Sequence, residues 1–578
     1  MYIGISGYNH ESSAALINNE GQLVNYYREE SLSRIKGDKS FPKRAISLIL
    51  KTNGIEINDV ISIAFYERPL SSFLYPLKVA AYNMPRSIPF LSHQFRNFKK
   101  SSIACYLDLA MLFPGLESKL IYADHHLSHT LSALAYSKKQ NDICSIVVDG
   151  FGDRSTTSIS EINNIFNIKE IWSSSYPHSL GLFYSAITDF LGFQINEGEY
   201  KVMGLSAYGN SESLEAKLVS NLVNWDSLNK KIIVDMSYFD YHISIQDSFS
   251  ENLIDLLGEP RNPFLQLYPD DPEFQRWANI ARGAQDTIEL ALCKLFQHAY
   301  ELTASRQFLF SGGVALNSAS LESISNLPFV DEVIVPPSPG DAGAAIGAGY
   351  YAYLKKNVSS KQIQKPSLFP ANYNFLKQKD LAANILAKDF LNIESDKDRS
   401  LKIVANLIQK GEVIGILLQN GETGPRALGN RSLICNGKDS KAVYRLNRLI
   451  KDRSPFRPTA PCMGYKAAQK YYDLKPELLE CYKSMSATCK CLKENESLGF
   501  PTTHIDGTAR IQIISETDFL YEIYKETVLL GVDVLANSSL NMSGDPTCFD
   551  LIDGLMVCAR TPLKYLLTDF GLLEKKEK

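Results

Sequence analysis

Two similar strand–turn–strand units constrain the fold of this chain more than any other feature of its sequence. One opens the chain at residues 2–17, and the other covers residues 144–159. In both, two apolar runs flank a turn of small and polar residues, which leaves backbone N–H groups free to face a phosphate or another anion. Repetition of one hairpin in two parts of a chain predicts a duplicated α/β core that has one hairpin in each lobe.

A histidine-rich stretch, residues 124–129, precedes an apolar run and predicts a helix. On a helix, His125 and His129 lie four residues apart and share a face, and two imidazoles on one face can bind a transition metal. Asp149 and Asp341, each at a glycine-flanked strand end, are the hypothesised acidic partners. The alternative is a pair of surface or capping histidines, because this H-x-x-x-H spacing lacks the glutamate of the metalloprotease motif.

Two further glycine-containing segments predict nucleotide binding in the same part of the chain. After an apolar strand, Gly312 and Gly313 lead to a helix start at Asn317, and helix N-termini behind glycines bind phosphates. We also predict that Lys201 and Gly204 lie in a glycine-flanked turn, where the lysine can neutralise a phosphate as a point charge. A surface lysine is the alternative at that position.

The composition of the chain changes past its middle. Residues 355–378 are rich in Lys, Ser, Gln, Pro and Asn without periodicity, which predicts a linker between domains of residues 1–354 and 379–578. In the second domain, Arg426 and Arg431 lie in a loop fixed by glycine and proline, and two such guanidinium groups predict a clamp for oxyanions. The other candidate anion-binding residues of this domain are Lys451, Arg457, Arg510, Asn537 and Ser539.

The overall charge and composition exclude several classes of protein. With a net charge of −4 and a pI near 6.2, the chain lacks the basic character that nucleic-acid binding requires. No apolar run is long enough to predict a membrane span. The ten cysteines form no C-x-x-C pair, which favours free thiols in a reducing compartment. Because the sequence also starts without a signal-peptide pattern, we expect a cytoplasmic protein.

The order of these motifs resembles that of the O-carbamoyltransferases of the nodulation and antibiotic-tailoring kind. The resemblance covers nearly the whole chain, and its most specific string is Gly-Pro-Arg-Ala-Leu-Gly-Asn-Arg-Ser at residues 424–432. It implies that residues 1–354 form an actin-like ATPase core of the sugar-kinase and Hsp70 type, similar to the tRNA threonylcarbamoyl-transfer enzymes. It also implies that the second, α+β domain resembles their carbamoyl-adenylate-forming partner.

The resemblance implies a reaction as well as a fold. Carbamoyl phosphate and ATP, with Mg²⁺, would give carbamoyl-adenylate in the second domain, where Arg426 would be catalytic. The carbamoyl group would then pass to a hydroxyl of a small natural-product or sugar-like acceptor in the first domain. There the resemblance assigns a divalent metal to the two histidines and two aspartates, with ferrous iron expected ahead of manganese or zinc. We expect His10, in the first hairpin, to act as the base.

Two other functions are compatible with the sequence. One is a threonylcarbamoyl-type enzyme that modifies tRNA, which shares the N-terminal fold but requires a basic surface. The other is a non-enzymatic actin-like ATPase that regulates a partner. The sequence leaves open the acceptor, the metal, the pathway and the oligomeric state, for which a homodimer is one option.

Overall fold

The chain divides into two compact units. The computed structural model describes residues 1–92, 103–357, 362–370, 388–496 and 499–576. Unit 1 consists of Met1–Glu29 and Gly37–Pro366, and unit 2 consists of Glu30–Lys36 and Ser367–Lys578. Parts of the predicted linker, residues 358–361 and 371–378, lie outside the described residues, so the domain boundaries set from the sequence stay a prediction.

The first sheet of unit 1 has the strand order β3-β2-β1-β4-β5. Its strands are β1 (Tyr2–Ser6), β2 (Ser13–Ile17), β3 (Leu23–Arg28), β4 (Ser62–Phe65) and β5 (Leu120–Tyr122). The first three strands form an antiparallel meander, while β4 is parallel to β1 and to β5. Strands β1, β2 and β4 are buried along their whole length, which explains their nearly continuous apolar sequences.

The second sheet of unit 1 repeats this pattern in the order β12-β11-β6-β7-β8. Its strands are β6 (Ile143–Val148), β7 (Ser155–Asn164), β8 (Asn167–Ser175), β11 (Gln307–Ser311) and β12 (Glu332–Ile334), and β9 (Val223–Asp226) and β10 (Lys231–Val234) form a separate ribbon. Again a three-stranded meander is followed by two strands in parallel pairing. This repetition of one five-stranded sheet confirms the predicted duplicated α/β core.

Helices connect the strands of unit 1 and cover its two sheets. In chain order they are α1 (Glu29–Ser33, which continues into unit 2), α2 (Lys43–Asn53), α3 (Pro69–Ala81), α4 (Ala104–Leu112), α5 (His125–Tyr136), α6 (Leu180–Phe190), α7 (Glu199–Ser206), α8 (Leu214–Ser220), α9 (Glu251–Leu257), α10 (Phe274–Thr303), α11 (Ser320–Ser325) and α12 (Asp341–Lys356). Across the described ranges of both units, no helix combines the length and the hydropathy needed to cross a bilayer.

Helix α12 packs closely against both α5 and β1 because glycines remove side chains at the contacts. A Cβ atom added to Gly347 would lie 1.7 Å from the backbone oxygen of Ser128 in α5. A Cβ atom added to Gly4 in β1 would lie 2.0 Å from the backbone oxygen of Ala345. Neither distance leaves room for a side chain, so these glycines fix how near α12 lies to its neighbours.

Unit 2 is built on a mixed sheet with the order β13-β23-β22-β14-β15-β21-β16-β20. These strands are β13 (Phe390–Glu394), β14 (Ile414–Leu417), β15 (Arg431–Asn436), β16 (Ala460–Met463), β20 (Gln512–Ile513), β21 (Leu535–Ser539), β22 (Tyr565–Thr568) and β23 (Gly571–Lys575). A smaller sheet contains β17 (Tyr472–Asp473), β18 (Cys489–Cys491) and β19 (Thr508–Ala509). Because β14 pairs antiparallel with β15 and parallel with β22, unit 2 has the α+β architecture expected from the sequence.

The helices of unit 2 complete its core. They are α13 (Lys397–Gln409), α14 (Ser440–Tyr444), α15 (Tyr465–Tyr471), α16 (Leu479–Lys483), α17 (Lys493–Glu496), α18 (Phe519–Leu529) and α19 (Leu551–Arg560), with a π-helical turn at Arg445–Ile450. Apolar side chains from α14, α19 and the sheet form one buried cluster, which includes Val443, Leu555, Leu433 and Leu566.

We predict that Gly347→Ala lowers the free energy of unfolding by at least about 3 kcal/mol, because its methyl group would overlap the backbone of α5. Urea unfolding followed by circular dichroism measures the change. Gly340→Ala, at the N-cap of the same helix, is the control, since its Cβ atom would meet only Leu316 Cδ1 at 3.9 Å; we expect it to cost less than about 1 kcal/mol. Equal stability of the Gly347 variant and the wild type would contradict this account of the packing.

Candidate metal centre and anion site

The structure brings the four predicted metal ligands together in unit 1. His129 Nε2 lies 3.1 Å from Asp149 Oδ2 and 3.4 Å from Asp341 Oδ1. His125 Nε2 lies 3.3 Å from the same oxygen of Asp149 and 3.7 Å from that of Asp341. The two Nε2 atoms are 3.2 Å apart, and all four residues are at most 9% exposed. Two nitrogen and two oxygen atoms therefore face one another in a buried cluster.

Each aspartate is oriented by bonds to its outer oxygen. Asp149 Oδ1 accepts from the backbone N–H groups of Gly150 at 2.7 Å and Gly313 at 3.2 Å, which leaves Oδ2 to face the histidines. Asp341 Oδ2 accepts from the Tyr66 hydroxyl at 3.3 Å, which leaves Oδ1 to face the same point. The direction of both carboxylates is thus set by groups other than the histidines.

The histidines are placed by the first turns of α5. Asp124 caps this helix, since its side chain accepts from the backbone N–H of Leu127. Asp153, in the turn after β6, accepts from the backbone N–H of His125 at 3.1 Å and from that of Arg68 at 2.8 Å. These caps use the exposed N–H groups of the helix N-terminus, and they fix α5 to the turn that carries Asp149.

The charges in the cluster are strongly coupled. Burial by itself lowers the pKa of His125, but contact with Asp149 and the charge of Asp341 raise it to about 10. The pKa of His129 is raised in the same way. Burial alone raises the pKa of Asp149, yet its contacts with the two histidines bring it well below its usual range. Without a cation, the histidine pair therefore holds at least one proton between two carboxylates at neutral pH.

The donor set fits a divalent transition metal. The ligand atoms of the four residues lie within 4.8 Å of one another. Donors about 2.1 Å from a four-coordinate ion lie roughly 3.4 Å apart, which matches the distances between the imidazole and carboxylate atoms here. Both Nδ1 atoms are buried and have no hydrogen-bond partner among the described residues. This arrangement leaves Nδ1 to carry the proton of each ring while Nε2 acts as the ligand.

The predicted base, His10, is exposed in the turn between β1 and β2. Its ring makes no hydrogen bond or ion pair with the described part of the chain. Its neighbour Asn9 donates from its amide to Tyr66 Oη at 3.3 Å and to Glu67 Oε2 at 3.1 Å. Since Tyr66 also binds the ligand Asp341, one hydrogen-bonded path joins the hairpin turn to the cluster.

The residues predicted to bind a nucleotide in unit 1 have other contacts. Lys201 lies within α7 and not in a turn, so that prediction is wrong about its backbone, and its Nζ atom lies 5.3 Å from the centre of the Phe193 ring. Gly204 is buried in the same helix. Asn317 exchanges two hydrogen bonds with Gln285, at 2.9 and 3.1 Å.

The predicted glycine pair after β11 contacts the turn and the aspartate of the four-residue cluster. Gly312 has a φ of 92°, and a Cβ atom there would lie 2.2 Å from the backbone oxygen of Val148, so only glycine fits. The N–H of Gly313 donates to Asp149. The turn therefore holds Asp149, a candidate metal ligand. Nucleotide binding by Lys201, Gly204, Gly312, Gly313 and Asn317 stays a prediction.

Three arginines of unit 2 lie close enough to Arg510 to act on its charge. Burial and the charges of Arg426, Arg453 and Arg457 bring the pKa of Arg510 well below its usual range. The Nε atom of Arg510 is buried and unpaired within the described residues. Like charges repel at short range in a partly buried site. An anionic ligand would relieve this repulsion, so we identify these four arginines as the arginine cluster, a candidate anion site.

The predicted two-arginine clamp is wrong for Arg431. This residue is 3% exposed. Its guanidinium donates to the carbonyl oxygens of Leu418, Asn420, Asn430, Cys548 and Phe549. Because backbone oxygens take up its donors, Arg431 fixes the loops around the cluster and does not itself face an anion.

Lys451 and Asn537 are also bound to the protein. The Lys451 ammonium donates to the carbonyl oxygen of Ser539 at 2.8 Å. It also donates to the carbonyl oxygen of Asn541 at 2.7 Å and to the side-chain oxygen of the same residue. The Asn537 amide donates to the carbonyl of Ala427 at 3.0 Å. Lys451 thus holds the turn after β21, and Asn537 holds the loop that carries Arg426. A direct contact of Lys451, Asn537 or Ser539 with substrate stays a prediction.

Four supporting residues were not predicted from the sequence: Tyr66, Asp153, Glu422 and Arg453. Glu422 Oε1 accepts from the backbone N–H groups of Leu428 at 2.7 Å and Asn430 at 2.9 Å, which closes the loop that carries Arg426. Arg453 could have been found, because it lies in the same cationic run as Lys451 and Arg457. Tyr66, Asp153 and Glu422 carry no such signal, since each acts through a contact that only the fold creates.

We predict that a double His125→Ala, His129→Ala variant purifies without the transition metal that the wild type carries, since it loses half of the ligand set. Elemental analysis of both proteins measures the difference. His126→Asn is the control: His126 lies in the same helix, but its Nδ1 atom contacts Ser158 Oγ at 2.7 Å and not the cluster. Equal metal content in the double variant and the wild type would end the four-ligand hypothesis.

We also predict that metal binding releases at least one proton at pH 7. The raised pKa of His125, about 10, means that the metal must displace a proton across the whole neutral range, so affinity rises as the pH rises. One displaced proton corresponds to about a tenfold gain in affinity per pH unit. Calorimetric titration in two buffers of different ionisation enthalpy counts the protons; a buffer-independent heat would contradict the prediction.

Known proteins resemble the chain along both units. An uncharacterised protein of Synechocystis is 30% identical over 99% of this chain and 96% of its own. The nodulation protein NolNO of Sinorhizobium fredii is 26% identical over 98% of this chain and 79% of its own. The solved activator of 2-hydroxyisocaproyl-CoA dehydratase from Clostridium difficile covers 62% of this chain and 97% of its own with 13% identity and a TM-score of 0.32, too distant to add to the strand order.

Family models give the assignment. The model described as carbamoyltransferase N-terminus matches residues 1–350, and that described as carbamoyltransferase C-terminus matches residues 405–575. The first range contains the metal cluster, and the second contains the arginine cluster. The chain is a transferase that belongs to the carbamoyltransferase family.

Proposed function

We propose that this enzyme is an ATP-dependent O-carbamoyltransferase that works in two half-reactions. In the first, water releases phosphate from carbamoyl phosphate, and the carbamate that forms reacts with ATP to give carbamoyl-adenylate and pyrophosphate. In the second, the carbamoyl group moves to a hydroxyl of a small-molecule acceptor and AMP leaves. The observation that carries this proposal is that one carbamoyltransferase chain contains four clustered candidate metal ligands in unit 1 and the arginine cluster in unit 2.

The arginine cluster supports the first half-reaction. Carbamoyl phosphate and ATP are both polyanions, so the site that joins them must offset their mutual repulsion. Arg426, Arg453, Arg457 and Arg510 supply four positive charges. Guanidinium groups bind phosphate oxygens through paired hydrogen bonds, which orients the reacting groups as well as neutralising them. Arg426, on the loop closed by Glu422, is our candidate for the catalytic cation.

The metal cluster supports the second half-reaction. A bound divalent metal would act there as a Lewis acid that polarises the carbamoyl group. The chain's own residues hold the ligands in place: Gly313 and Tyr66 orient the two aspartates, and the caps of α5 orient the histidines. His10 would take the proton of the acceptor hydroxyl, because its exposed imidazole leaves both ring nitrogens available.

The same features favour particular classes of metal and of acceptor. Two imidazoles and two carboxylates suit ferrous iron, which we favour, as well as manganese or zinc. A net charge of −4 favours a small-molecule acceptor over tRNA. With ATP as cosubstrate and ten free cysteines, nine of them buried, a reducing, cytoplasmic location is part of the proposal.

The central experiment supplies carbamoyl phosphate, ATP and a panel of hydroxylated metabolites, and follows AMP release and the mass of each metabolite. The proposal requires AMP release that depends on carbamoyl phosphate, together with a carbamoyl mass increment on an acceptor. AMP release without carbamoyl phosphate would reject it. A tRNA-modifying enzyme would instead bind tRNA with an affinity that falls steeply as salt is added.

We predict that two single substitutions separate the half-reactions. Arg426→Ala should lower carbamoyl-phosphate-dependent ATP–pyrophosphate exchange by about 100-fold or more, since it removes a charge that stabilises the transferring adenylyl group and the leaving pyrophosphate. His10→Ala should leave exchange within about twofold of the wild type and lower acceptor carbamoylation by about 100-fold, the usual worth of a general base.

Arg44→Ala is the control for loss of a charge. Arg44 pairs with Glu29 in unit 1, and its side chain is 46% exposed. Unchanged exchange in Arg426→Ala would reject the role of that arginine, and an equal loss of both half-reactions in His10→Ala would reject the base.

A further inference from the structure

A short segment from the first part of the sequence belongs to the anion-binding unit. Residues Glu30–Lys36 group with unit 2, although the N-terminal family match covers them. We propose that Arg34, in this segment, is a positioning residue for the arginine cluster. This inference rests on the proposed function of the cluster as the site for carbamoyl phosphate and ATP.

Arg34 and Arg431 bind four consecutive backbone carbonyls, two by each arginine. Arg34 donates to the oxygens of Pro546 at 2.9 Å and Thr547 at 2.8 Å. Arg431 donates to the next two, those of Cys548 at 2.9 Å and Phe549 at 3.0 Å. Charge-assisted bonds to every carbonyl of a four-residue loop fix its path closely. We call residues 546–549 the carbonyl loop.

The carbonyl loop is joined to the groups that carry the cluster. Arg431 also donates to the carbonyls of Asn420 and Asn430, at the two ends of the Arg426 loop. At the other side, the Asn541 amide donates to the carbonyl of Asp545 at 2.5 Å, just before the carbonyl loop. Asn541 is in turn held by Lys451. A shift of the carbonyl loop would therefore move both the loop that carries Arg426 and the turn after β21.

The charges around the carbonyl loop also link Arg34 to Arg431 and Lys451. The charges of Arg34, Arg431 and Lys451 all act on the buried thiol of Cys548, although burial and Asp553 keep its pKa above its usual value. Lys36, two residues after Arg34, acts on Lys451. The segment thus adds positive charge to the surroundings of the site in addition to its hydrogen bonds.

The backbone of Arg34 shows that side-chain contacts determine its position. Its φ of 61° lies in the left-handed region, which non-glycine residues rarely adopt. Its guanidinium also pairs with Asp553, with Nε 3.2 Å from Oδ1, and Asp553 accepts from the N–H of Phe549 at 2.8 Å. Contacts on three donors therefore maintain a conformation that the backbone alone disfavours. Glycine would adopt it freely, so Arg34→Gly removes the guanidinium without adding backbone strain.

The experiment compares full-length Arg34→Gly and Arg34→Lys with the wild type and with Arg44→Ala. We measure carbamoyl-phosphate-dependent ATP–pyrophosphate exchange, the affinity for inorganic pyrophosphate, metal content and thermal stability. For Arg34→Gly we expect a loss in kcat/KM of exchange between about 10- and 100-fold, because misplaced binding groups lose orientation. Pyrophosphate should bind at least about fivefold more weakly. Metal content should not change, and Arg34→Lys should fall between Arg34→Gly and the wild type.

Two results would overturn the inference. One is wild-type exchange and pyrophosphate affinity in Arg34→Gly. The other is a loss matched by a lower metal content or by a fall in thermal stability that leaves the protein partly unfolded at the assay temperature, which would make Arg34 a general structural residue. If the wild type itself lacks carbamoyl-phosphate-dependent exchange, the proposed function fails. The pyrophosphate measurement then decides the role of Arg34 by itself.

Discussion

The close contact between α5 and α12 determines what unit 1 can bind. The absence of a side chain at Gly347 lets the two helices approach at Ser128, and Asp341 starts the second helix. Two histidines on one helix and a carboxylate on the next then point at a common centre, and Asp149 completes it from the end of β6. If the two helices were farther apart, each residue would keep its position on its own helix, but the side chains could not reach one common ion.

The two sites use charge in opposite ways. In unit 1, carboxylates gather around imidazoles, and the buried negative charge favours a cation. In unit 2, three arginines act on Arg510, and the positive charge favours a polyanion. Backbone carbonyls accept the hydrogen bonds of Arg431 and Lys451, which fixes these two cations in place.

The sequence predicted the parts of the protein that follow from local pattern. Hairpin repetition predicted the duplicated core, and helical spacing with strand-end aspartates predicted the four clustered ligands. It failed where long-range packing decides the outcome. Lys201 continues a helix that its flanking glycines did not suggest, and Arg431 resembles Arg426 in sequence yet is buried. The part played by Arg34 could not be predicted, because its partners lie at the other end of the chain.

The metal ligands come from segments that are far apart in the sequence, with α5 and α12 at the extremes. An ion held by all of them would act as a removable cross-link that closes a long loop of the chain, and it would stabilise the folded state by its binding free energy. Folding of unit 1 and binding of the ion would then be thermodynamically linked. Cells short of the metal would hold a less stable protein as well as a less active one.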